Sequence, residues 1–281
     1  MDSLLHIPGA FLIILFSFNL NSIRAVDVPF NQNFEILYGQ DHTQLLDDDH
    51  EIRISIDEHT GSGFHSKTKH GSGFFSMRVK LPKKDTTGLI TTFYIISDNG
   101  NTRDEVDFEF LGNKKTPYVL HTNVIMDGNI NRTQGIKLWF DPTAELHEYK
   151  LLWNRHQVVL FVDDTPVRVF QNNEKIGVPY PTKPMHIVCT IWNATWASYG
   201  KPVNWSQGPF DALYHGFGVD GCPSESIDPE ECYTSQYYWN EEQYWSLNST
   251  QQDAYKNVRK NHMAYDYCKQ NPQPPECLIN S

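Results

Sequence analysis

The sequence predicts an all-β protein, a β-jelly-roll sandwich with one concave face, followed by a small C-terminal extension. Three observations carry that expectation. Short apolar runs with period-two alternation recur at near-regular spacing from Val26 to about Trp192. No long stretch with a helical period interrupts them. Turn-forming residues separate the runs, the pattern of a sandwich rather than of alternating strands and helices.

In chain order, Ile52, Ile54 and Ile56 alternate, as do Phe75, Met77, Val79 and Leu81, and Pro82 stops that second strand. Leu89–Ile96 and residues 118–125 read as further strands. Gln157–Val162 runs into a turn at Asp163-Asp164-Thr165-Pro166, and residues 167–170 return as a hairpin. The tetrapeptide Gly-Ser-Gly-Phe occurs at 61–64 and again at 71–74. No Lys-Ser/Thr follows at the offset of a phosphate loop, and neither copy fits a nucleophile elbow, so both are expected to be turns or bulges. Asp47-Asp48-Asp49-His50-Glu51 lacks the glycine and spacing of a calcium loop and reads as a solvated turn.

One strand stands apart. In Asp104-Glu105-Val106-Asp107-Phe108-Glu109-Phe110-Leu111-Gly112, period-two alternation sends Val106, Phe108 and Phe110 to one face. Glu105, Asp107 and Glu109 go to the other, with no Lys or Arg among them. Same-face neighbours on a strand are roughly 6.5 Å apart, so the outer two carboxylates are roughly 13 Å apart at the backbone. Long side chains leaning inward can bring them to the separation of a glycosidase pair, on the order of 5–9 Å. Crowded carboxylates cannot all ionise freely near neutral pH, and the crowding that raises one pKa is what keeps a general acid protonated. The alternative is a solvated acidic face on an edge strand.

The chain has 281 residues and a formal net charge of -11, which argues against nucleic acid or an anionic membrane as a partner. Charged residues make up 20% and aromatic residues 13%, a globular composition with rings available to stack on sugars or fill a core. Residues 1–25 read as a secretory signal, because 10–16 is an apolar core too short to span a bilayer and Ile23-Arg24-Ala25 suits cleavage. Secretion makes disulfides the expected state of the cysteines. Four of the five fall into two short-spaced pairs, read as Cys222–Cys232 and Cys268–Cys277, while Cys189 sits in an apolar run as a buried thiol. Glycosylation sequons at Asn131, Asn193, Asn204 and Asn248 agree with secretion. No metal-type cysteine or histidine spacing is present, and no cofactor is expected.

After about Pro209 the texture changes. Residues 242–260 are polar and suit a surface helix flanked by the cysteine pairs. Residues 216–281 are therefore expected to form an extension stapled to a sandwich of residues 26–215, since so few apolar residues make a poor independent core.

The acidic strand, with its context, resembles the signature of glycoside hydrolase family 16 and, more closely, the plant xyloglucan endotransglucosylase/hydrolases. The resemblance covers most of residues 30–278 and includes 60–64, 73–75, 138–143, Trp192-Asn193 and Tyr265-Asp266-Tyr267-Cys268. By position it implies Glu105 as nucleophile, Glu109 as general acid/base and Asp107 as the helper that hydrogen-bonds the nucleophile. It also implies substrate contacts at Tyr94, Trp192 and Trp196, a retaining mechanism and no cofactor. The chain departs from the family in three places. Arg103 stands where a His usually precedes the Asp-Glu pair, which puts a permanent cation beside the carboxylates and makes it a further substrate-side candidate. Gly112-Asn113-Lys114-Lys115 lacks the sequon that members often carry after the motif. The loop 194–200 lacks the usual acidic pair before Trp196 and looks short.

The resemblance implies a monomeric cell-wall enzyme that cuts the β-1,4-glucan backbone of xyloglucan and rejoins it to another xyloglucan chain or oligosaccharide. Hydrolysis of xyloglucan or a mixed β-glucan is the second reading. A wall-binding lectin is the third, and the intact acidic triplet argues against it, because binding alone does not call for three mutually repelling acids.

Overall fold

The computed structural model describes residues 26–98 and 100–279. The secretory signal expected at 1–25 lies outside the described residues. In chain order the strands are β1 (Phe34–Tyr38), β2 (Thr43–Leu46), β3 (Glu51–Ile56), β4 (Ser62–Ser66), β5 (His70–Lys80), β6 (Leu89–Ile96), β7 (Glu105–Leu111) and β8 (Val119–Ile125). They continue as β9 (Gln134–Lys137), β10 (His147–Trp153), β11 (Gln157–Val162), β12 (Thr165–Gln171), β13 (His186–Asn193), β14 (Phe210–His215), β15 (Val219–Pro223) and β16 (Met263–Asp266). The α-helices are α1 (Phe30–Asn33), α2 (Ser249–Asn261) and α3 (Pro275–Ile279).

The strands form two antiparallel sheets. The first has the order β1-β4-β13-β6-β7-β8-β9-β16. The second has the order β12-β11-β10-β5-β14-β3-β2, with β15 also paired to β5. Two sheets packed face to face bury alternate residues of strands such as β3, where Ile52, Ile54 and Ile56 are the buried set. From β7 these are Val106, Phe108 and Phe110. Phe108 stacks on Phe93 of β6 with centroids 5.6 Å apart, and Phe110 meets Tyr149 of β10 edge-on at 4.6 Å. The apolar half of the acidic strand thus ties the middle of one sheet to the other.

Both Gly-Ser-Gly-Phe copies, expected to be turns or bulges, lie largely within strands instead, in β4 and β5. Their glycines serve close packing. A Cβ at Gly63 would stand 2.8 Å from Thr190 Cγ2, and one at Gly73 would stand 2.7 Å from the Asp220 carbonyl oxygen. The hairpin turn expected at 163–166 is tighter than that, because β12 already begins at Thr165. The surface helix expected from 242 starts only at Ser249, where Asn248 and Gln251 form a reciprocal capping box.

The C-terminal residues are woven into the sandwich more deeply than a staple implies. β15 pairs with β5, and β16 extends the first sheet beyond β9. Trp239 and Leu247 share a small apolar cluster with Leu152, Val159 and Phe161 of the second sheet. Asn154 donates to the Trp239 carbonyl at 2.8 Å, and Ser72 Oγ donates to the Cys232 carbonyl at 2.6 Å. Disulfides join Cys222 to Cys232 and Cys268 to Cys277, each with Cα atoms 5.4 Å apart. Cys189 is a buried free thiol, and burial pushes its pKa well above the ordinary value.

Candidate active site

β7 lies between β6 and β8, four strands from one edge of its sheet and three from the other. Its central place rules out the solvated edge strand. Antiparallel register fixes what faces each carboxylate. Glu105 sits opposite Ile96 and Ile125, Asp107 opposite Tyr94 and Asn123, and Glu109 opposite Thr92 and His121. All of these point away from the core, yet Asp107 is only 4% exposed. A side chain that is buried on the outer face of a sheet must lie on the floor of a recess.

The ends of the row differ electrostatically. Arg103, in the loop that leads into β7, donates from Nε to Glu105 Oε2. That loop is anchored by the buried Asp104 carboxylate, which accepts from the backbone N–H of Asp127, Thr182 and Lys183 at 3.0–3.2 Å and from Lys183 Nζ at 3.0 Å. The start of β7 is therefore held from three sides, and Glu105 with it. Asp107 is pushed well above the ordinary carboxylate range, first by burial and then by the charges of Glu105 and Glu109. It shares a hydrogen bond with Glu105, while its Oδ1 has no hydrogen-bond partner among the described residues. A protonated Asp107 can donate to an ionised Glu105. Glu109 is raised from 4.5 to about 7, by burial first and by the Glu105 charge second. The row thus sorts itself into a paired carboxylate, a proton-bearing neighbour and a carboxyl that holds its proton close to neutral pH.

Aromatic rings gather at the Glu109 end. Trp196 stacks on the His121 ring with centroids 6.4 Å apart and planes within 12°. Trp192, at the end of β13, stands 6.3 Å from Trp196. Trp196 remains 51% exposed, so one face of its ring is open to a ligand. Tyr94 lies beside Asp107, and its burial, together with the neighbouring acid charges, raises its pKa. The residues singled out in the sequence therefore fall on one surface, apart from the cysteines and the sequon asparagines. The four sequon asparagines are all exposed. Sequence reasoning missed His121, Asn123 and Thr92, which join the site only through cross-strand register. Burial pulls the His121 pKa down, which favours the neutral imidazole beside Glu109.

A β-sandwich whose recessed face carries this row on a central strand is built as a two-carboxylate glycoside hydrolase. Comparison with known proteins narrows the class. The pattern of Glycosyl hydrolases family 16 matches residues 30–207, and that of the Xyloglucan endo-transglycosylase (XET) C-terminus matches residues 233–277. The chain is 43% identical over 272 residues to putative xyloglucan endotransglucosylase/hydrolase protein 1 of Arabidopsis thaliana, covering 94% of this chain and 92% of that protein. It is 42% identical over 279 residues to xyloglucan endotransglucosylase/hydrolase protein 2 of the same plant, covering 96% and 95%. Among solved structures, the Bacillus licheniformis beta-glucanase superposes with a TM-score of 0.58 at 20% identity, over 72% of this chain and 99% of that one, a likeness of fold. The chain belongs to the xyloglucan endotransglucosylase/hydrolases of glycosyl hydrolases family 16.

Proposed function

We propose that this protein cleaves the β-1,4-glucan backbone of xyloglucan with retention and transfers the severed chain to a second xyloglucan chain or oligosaccharide. The observation that carries the reading is the asymmetry of the row, with Glu105 held by Arg103 and Asp107 while Glu109 keeps its proton to about pH 7. In the first step Glu105 attacks the anomeric carbon as the bond to the leaving oxygen breaks, and Glu109 gives its proton to that oxygen. The product is a glycosyl ester on Glu105. In the second step Glu109, now a carboxylate, takes the proton of an incoming hydroxyl as that oxygen displaces Glu105. Asp107 donates to Glu105 and stabilises the carboxylate that is regenerated.

Transfer and hydrolysis share the glycosyl ester and differ in what attacks it. The exposed face of Trp196 beside Glu109 offers a sugar ring an apolar platform, from which water gains nothing. That favours transfer. The loop 194–200 reads as short against the family pattern, which suits a bulky acceptor on this side. Residues 26–215 supply the chemistry and 216–281 the extension, in a monomer that residues 1–25 direct out of the cell to the wall. The test is to incubate the protein with xyloglucan and a labelled xyloglucan oligosaccharide, following label in polymer and new reducing ends together. Transfer predicts label in shortened polymer with few new reducing ends. Reducing ends that accumulate at the full rate of chain cleavage with acceptor in excess would make the enzyme a hydrolase.

A further inference from the structure

A second cavity, of about 790 Å³, opens between β12, α2 and the chain that follows β16. No residue of β6, β7 or β13 lines it, so it is separate from the recess that holds the acids. Five of its lining side chains are cationic and two are carboxylates, in a chain whose net charge is -11. Both carboxylates are already engaged. Asp266 accepts from Arg259 Nη2 at 2.7 Å, Gln134 Nε2 at 2.8 Å and the Cys268 N–H at 3.1 Å. Glu276 accepts from Arg132 Nε at 2.8 Å.

Arg168 is the unusual member. It reaches inward from β12 and is only 1% exposed. Its Nη1 donates to the Thr122 carbonyl at 3.3 Å, and its guanidinium lies 5.2 Å from the centre of the Tyr267 ring. Its Nη2 has no hydrogen-bond partner among the described residues. Burial works against its charge, and Arg259 is close enough to add repulsion. Arg259 Nη1 is likewise buried without a partner, and so are the acceptor oxygens Gln134 Oε1 and Gln157 Oε1. Buried polar atoms left unpaired are costly, and native proteins rarely keep several around one cavity unless something completes them.

The unpaired groups suit one class of ligand. Two unpaired guanidinium nitrogens call for a planar anion, which arginine forks hold better than any neutral oxygen. The two unpaired amide oxygens call for hydroxyl donors, which a bare inorganic anion does not supply in number. We propose that this cavity binds an acidic sugar, a uronic acid residue whose carboxylate meets Arg168 and Arg259 and whose hydroxyls donate to Gln134 and Gln157. The protein would thus hold an acidic polysaccharide at one site while handling a neutral glucan at another. The proposal does not rest on the reading of the acidic recess.

The test is isothermal titration of the full chain with digalacturonate, with its dimethyl ester, which lacks the charge, and with inorganic phosphate. Digalacturonate is expected to bind saturably at one site, the ester at least about tenfold more weakly, and phosphate no better than the ester. Arg168→Met and, separately, Arg259→Gln should each weaken digalacturonate at least about tenfold while xyloglucan transfer stays at the wild-type rate. Glu109→Ala should leave digalacturonate binding unchanged. If Arg168→Met does not fold, as judged by circular dichroism, the half-buried Arg259 carries the test alone. Absence of saturation, equal binding of the ester, phosphate binding as tightly as digalacturonate, or undiminished affinity in Arg259→Gln overturns the proposal.

Discussion

Replacing Glu109 by Gln keeps the shape of the side chain and removes its titration, so it isolates what the recess does to this carboxyl. The rise from 4.5 to about 7 corresponds to roughly 3 kcal/mol in favour of the protonated form in the folded state. Below pH 4.5 both the folded and the unfolded wild-type chain carry the proton, and this difference vanishes. Between 4.5 and about 7 the folded chain holds a proton that the unfolded chain has lost, so wild-type stability falls by about 1.4 kcal/mol per pH unit from this group. Above about 7 the loss is complete. The Gln variant has no such loss, so the stability of the variant relative to wild type should climb by roughly 3 kcal/mol between pH 4 and pH 8. Asp107 titrates in both chains. Removing the Glu109 charge lessens its cost, which acts in the same direction. Urea unfolding followed by tryptophan fluorescence, at half-unit steps of pH, measures the difference directly. Stability curves that stay parallel from pH 4 to pH 8 would refute the claim that the recess holds Glu109 protonated. The same titration predicts that wild-type turnover declines as pH rises through about 7, when Glu109 loses the proton it must donate.

Trp196→Ala should raise the concentration of oligosaccharide acceptor needed for half-maximal transfer by about fivefold, or about 1 kcal/mol, with little change in donor cleavage; an unchanged acceptor requirement would remove Trp196 from the acceptor side. Arg103→Gln deletes the cation that grips Glu105, and should lower kcat roughly tenfold, about 1.4 kcal/mol, with KM near wild type. A KM effect alone would make Arg103 a substrate contact rather than a brace for Glu105.

Much of the fold was legible because one side of each strand is buried and the period-two signal is strong. Ile52, Ile54 and Ile56 announced β3, and Val106, Phe108 and Phe110 announced both faces of β7. The misread glycines show the limit. Gly61-Ser62-Gly63 carries turn chemistry, but its glycines are there because neighbouring chains pass too close for a Cβ, and no local pattern reveals a neighbour. His121 and Asn123 were invisible for the same reason, since they join the site through the register of β8 on β7. The extension was underestimated because its strands, β15 and β16, are short and pair with partners more than a hundred residues away. The crowding of the acids was readable from spacing. The sorting of their protons was not, because it depends on how deeply each is buried.

The central claim is that Glu105 forms the covalent bond and Glu109 moves the proton. A xyloglucan oligosaccharide fluoride carrying a 2-fluoro substituent slows breakdown of the glycosyl ester, so the adduct can be trapped, digested and located by mass spectrometry. The account predicts one added glycosyl group on the peptide that contains Glu105, assigned to that side chain by fragmentation. It also predicts no adduct in Glu105→Ala, and an adduct still formed by Glu109→Ala, because fluoride leaves without help from an acid. An adduct on Asp107 or Glu109, or undiminished labelling of Glu105→Ala, would contradict it.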